Sequence, residues 1–95
     1  MTTFFHAWRR RQGDRLAAEW LEERTEARRA VAVVPPEIRD DVRRCVDTLI
    51  EGADGEVEPA LAELWNLLDD RPELREQFAR LRIIADAIDF VKTLT

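Results

Sequence analysis

The four prolines and three glycines of this chain all fall where a helical spacing of apolar residues breaks, and that coincidence constrains the fold more than any motif does. Punctuation and periodicity together predict an all-α protein. The expected architecture is a compact bundle of four main helices, the first bent or broken near Gly13, forming a single helical domain over residues 1–95. A chain of 95 residues supports one small hydrophobic core and not two.

The first helix is expected from about Thr3 to Ala30, with Asp14 able to cap its second half. At about 100° per residue, Phe4, Phe5 and Trp8 fall on a different face from Leu16, Trp20, Ala27 and Val31. A straight helix would align them with Glu19, Glu22, Glu23 and Glu26, so either the helix bends at Gly13 or its first turns bury against something else. The four glutamates read as a solvated face.

Val31 to Val34 then meets Pro35 and Pro36, which favour an extended connector. The second helix starts at Pro36, with Glu37, Asp40 and Asp41 near its positive end. Its stripe is Ile38, Val42, Cys45, Val46, Leu49 and Ile50, and Gly52 with Asp54 and Gly55 ends it. The third helix is expected from Glu58 and Pro59, with Leu61, Leu64, Trp65 and Leu68 on one face. The fourth follows a capping-box pattern at Asp70 and Glu73 and runs toward Leu94.

That last helix carries two apolar stripes. Leu74, Phe78, Leu81, Ala85 and Ile88 form one; Ile83, Ala87, Phe90 and Leu94 form another on nearly the opposite side. A helix that is apolar all round is either central to its own fold or meets a partner. The partner-binding expectation therefore rests on Ile83, Ala87, Phe90 and Leu94, joined by Phe4, Phe5 and Trp8, which precede the basic run Arg9 to Arg11.

Composition excludes several functions. One cysteine (Cys45) and one histidine (His6) cannot supply four Cys/His zinc ligands, no glycine-rich phosphate loop exists, and no carboxylate pair stands out as acid and base. No metal, cofactor or catalytic residue is expected, and the chain reads as non-enzymatic. The unpaired thiol and the absence of a membrane-length apolar run point to the cytoplasm.

The net charge of −5, from 15 basic and 20 acidic residues, makes nucleic acid an unlikely partner. The alternative of a helix-turn-helix-type DNA-binding regulator would use Arg39, Arg43 and Arg44 for phosphate contacts, but these alternate with Asp40, Asp41 and Asp47. In length and all-helical pattern the chain resembles the small adaptor or accessory domains that bacterial operons encode beside larger effectors, death-like effector-associated domains among them. Those death-like folds have six helices, against the four or five read here. The expected role is protein–protein interaction, as a homodimer or bound to a larger effector protein.

Overall fold

Five helices run through the computed structural model, which describes residues 17–51 and 54–93: α1 (Ala17–Ala32), α2 (Pro36–Glu51), α3 (Asp54–Leu67), α4 (Pro72–Arg80) and α5 (Arg82–Thr93). No strand occurs among the described residues. The all-helical expectation holds, and the helix count rises from four because the last expected helix is two. The expected break at Gly13 lies outside the described residues.

The division of the last helix falls at Leu81, whose φ of −64° and ψ of 134° are extended. Its N–H still donates to the carbonyl of Phe78 at 3.1 Å, and its own carbonyl accepts from the N–H of Ala85 at 2.8 Å. One residue thus ends α4 and starts α5. Packing supplies the reason: before the break Phe78 is fully buried, and after it Ile83, Ile84, Ala87 and Phe90 are buried. A straight helix cannot aim both sets at one core, because they lie on different sides of its axis. The double stripe in the sequence marks a change of helix direction, which neither proline nor glycine announces.

Pro72 stands in the first turn of α4, and the cap is Arg71, with no side-chain hydrogen bond to the turn. The expected Asp70 cap is not used. A residue before proline avoids the α conformation, so the boundary falls at Arg71, where φ is −132° and ψ is 72°.

α2 occupies the span expected of it, and its stripe of Val42, Cys45, Val46, Leu49 and Ile50 is buried, with Ile38 partly so. α3 begins four residues before its expected start and carries Pro59 inside it. Proline removes one helical hydrogen bond and crowds the preceding turn. The fully buried Val57, two residues earlier, gives the extra turn its hold on the core. Gly55 lies in that turn with open space where a Cβ would stand. Replacing Gly55 with Ala should therefore stabilise the fold by about 0.5–1 kcal/mol, read as a higher urea midpoint with an unchanged slope.

The buried side chains form one core cluster reaching from Ala27 in α1 to Phe90 in α5. α2 and α3 pack together most extensively, and α5 touches each of the other four described helices. The Cα radius of gyration is 12.7 Å, as expected for a compact chain of this length. α5 is the central helix of the bundle.

Candidate interaction surface

The central position of α5 covers the described part of its second stripe within the chain itself. Ile83 is 2% exposed, Ala87 0% and Phe90 4%, so the chain's own helices already cover them. Leu94, Phe4, Phe5 and Trp8 lie outside the described residues. Among the partly buried apolar residues around the core, Ile88 and Val91 belong to α5.

The acidic face of α1 needs correction. Glu22 and Glu26 are exposed, but Glu23 is 4% exposed, with its Oε1 4.0 Å from Nη1 of Arg82. The pair links α1 to the first turn of α5. Its position was visible in the sequence: Glu23 lies four residues before Ala27 and eight before Val31, on the stripe those two define. A carboxylate at a core spacing signals a buried ionic contact, provided a cation comes within reach from another helix.

The arginines of α2 have partners within the chain. Arg39 donates from Nε to the carbonyl of Val34 at 3.0 Å, and Arg43 donates to Asp40 at 3.1 Å. Arg44 bridges Asp41 at 3.1 Å and, across to α3, Glu63 at 2.6 Å. That hydrogen bond and the Glu63 charge raise the Arg44 pKa further above its ordinary value. Elsewhere Arg75 stacks over Trp65 at 5.4 Å, joining α4 to α3.

Cys45 lies at the base of the Arg44 and Glu63 contact and is 1% exposed. Burial first, and the nearby Glu63 second, push its thiol up from 9.0 to about 11. A thiol is a nucleophile as its anion, so Cys45 is a packing residue at neutral pH. Labelling by a maleimide or a disulfide reagent at pH 8 should be slow in the native protein and immediate in denaturant. The raised value has a linked consequence: stability from the protonated thiol is complete below pH 9 and is lost as the pH climbs toward 11.

The described residues contain no group of three or more His, Cys, Asp or Glu able to hold a metal ion, and no helix there is long and apolar enough to cross a membrane. A shallow, open depression of about 480 Å³ runs along α2 past Asp40, Arg43 and Asp47 to Glu56 of α3. It is lined entirely by polar and charged residues of the two helices.

The outer face of α1 differs in character. Leu21 is 63% exposed and Val33, one residue past the helix end, is 70% exposed; these are the exposed large hydrophobics among the described residues. Leu21, Thr25, Arg28 and Ala32 follow at spacings of four, three and four, all exposed; Arg28 and Ala32 also border a depression shared with Arg43, Val46 and Asp47 of α2. The Thr25 hydroxyl donates back to the carbonyl of Leu21 at 3.0 Å, so that polar group is satisfied within the helix. Glu22 and Arg29 border this row of residues on the same side. Leu21, Glu22, Thr25, Glu26 and Arg29 together line an open surface depression.

No family model, curated protein or solved structure matches the chain significantly.

Proposed function

We propose that this chain is a non-enzymatic interaction module, an adaptor or accessory protein of the cytoplasm that works as a homo-oligomer or bound to a larger effector. The observation that carries this reading is that Leu21 on the outer face of α1 and Val33, just past the helix end, stand open to solvent although 19 of the described apolar residues, from Ala27 to Phe90, are buried in the core. Leaving two large aliphatic side chains in water forgoes stabilisation of roughly 1.5–3 kcal/mol each. A partner that covers them recovers it.

Catalysis has no support in the described residues, since the cysteine is buried and protonated at neutral pH. The DNA-binding alternative is weakened by the ion pairs of Arg43 and Arg44, which a phosphate would have to displace.

The test is a photocrosslinking residue at position 21 in the native cell, with a second at exposed Glu51 for comparison and a third at Trp8 for the N-terminal aromatics. A discrete adduct with a protein chain from position 21, absent from position 51, is the expected result. Failure to capture a protein from either position 21 or position 8 would defeat the reading.

A further inference from the structure

We infer that α4 and α5 are the two arms of one helix broken at Leu81, and that the chain straightens there to exchange α5 with a second copy of itself. This goes beyond the reading above, since it uses the interior of the bundle and not the face of α1. The observation that carries it is the backbone at the break. Leu81 has a φ of −64°, already the helical value of about −63°, and only its ψ of 134° departs from the helical value of about −42°. Rotation about that single bond joins Pro72–Arg80 to Arg82–Thr93 as one helix. The N–H of Ala85 already donates to the carbonyl of Leu81 at 2.8 Å, four residues back as in an unbroken helix.

Local sequence favours the straight form. Neither glycine nor proline occurs from Glu73 to Thr95, and Ala79, Arg80, Leu81 and Arg82 are all strong helix formers. A leucine at the start of α5 offers no side-chain acceptor to the N–H groups of its first turn. In a continuous helix those of Arg82, Ile83 and Ile84 pair with the carbonyls of Phe78, Ala79 and Arg80.

Packing within the chain holds the break, and the same packing is available from a second copy. At about 100° per residue, Ile83, Ala87 and Phe90 lie roughly 120–180° from Phe78 around a straight axis. With Phe78 kept in its own core, a straight helix carries those three buried side chains away from it. The socket that α5 fills is formed by the other described helices, and Glu23 at its edge meets Arg82 at 4.0 Å. A second copy has the identical socket, so a two-fold exchange fills both. The same side chains are buried in either form, so chain concentration decides between them. Exchange is slow, because α5 must leave one core before it enters the other.

The test refolds the protein from urea at millimolar and at micromolar chain concentration and separates the products by size exclusion. The wild type should yield a dimer at the higher concentration, and that dimer should persist on dilution. Arg82→Ala and Arg82→Pro both remove the contact with Glu23 but act oppositely on the hinge. Alanine favours the continuous helix, whereas proline suits the first position of α5 after an extended residue and breaks a continuous helix. Arg82→Ala should dimerise at least as much as the wild type, and Arg82→Pro roughly tenfold less or lower still, at equal helicity by circular dichroism. Exchange itself is read in Arg82→Lys, where a carbodiimide couples the new amine to the Glu23 carboxylate and isotope-mixed chains show which chains are joined. The bond should run between chains in the dimer and within one chain in the monomer, and it decides by itself where Arg82→Pro loses helicity. A wild type that gives no dimer overturns the inference. So does a dimer whose crosslink stays within one chain, or one that Arg82→Pro forms as readily as Arg82→Ala; such a dimer associates by its surface, which the crosslinker at position 21 tests separately.

Discussion

Replacing Ile83 and Phe90 together with aspartate should unfold the isolated chain, with loss of the helical circular dichroism signal at 25 °C. Ile83 is 2% exposed and Phe90 4%, both on the helix that touches every other described helix. Each substitution removes a buried apolar side chain, a loss of about 2–5 kcal/mol, and brings a carboxylate into a site without a partner built for it. A domain of this length holds roughly 5–14 kcal/mol in total, so the pair exceeds or exhausts the margin. A folded, helical double variant with altered oligomeric state would instead place the stripe at an interface. The companion substitution Leu21→Asp should leave the fold intact, because that side chain is exposed.

Phe78→Ala should cost about 3–5 kcal/mol, measured as a shift of the urea midpoint. Phe78 is fully buried and is the residue that anchors α4, a helix of nine residues. Isolated helices shorter than about 12–15 residues are marginal in water, so α4 owes its existence to that contact and to the turn at Arg71 and Pro72. Leu74, on the same helix and only partly buried, should cost markedly less when cut to alanine. Equal losses at the two positions would mean that α4 is held along its length rather than by one side chain.

These two expectations also locate the boundary between local and non-local information. α2 was legible in full: a proline at its start, acidic residues in its first turns, a stripe at helical spacing and a glycine beyond its end all describe the segment in terms of itself. The burial of Cys45 followed from that stripe without any other helix being known. The start of α3 was not legible, because Pro59 is a local stop signal that the burial of Val57 outweighs.

For the candidate surface the division is sharper. The amino-acid sequence determined that the chain is helical and that its C-terminal region carries apolar residues on both sides; spacing alone assigns faces to a helix but not the direction in which its axis runs. The tertiary structure decided that the axis turns at Leu81, that Ile83, Ala87 and Phe90 therefore face the core, and that Glu23 meets Arg82. The face left open is on α1, where Leu21 stands outside the stripe of Ala27 and Val31. Periodicity is a property of neighbours three and four residues apart, whereas the break, the buried carboxylate and the open face each depend on side chains brought together from distant parts of the chain.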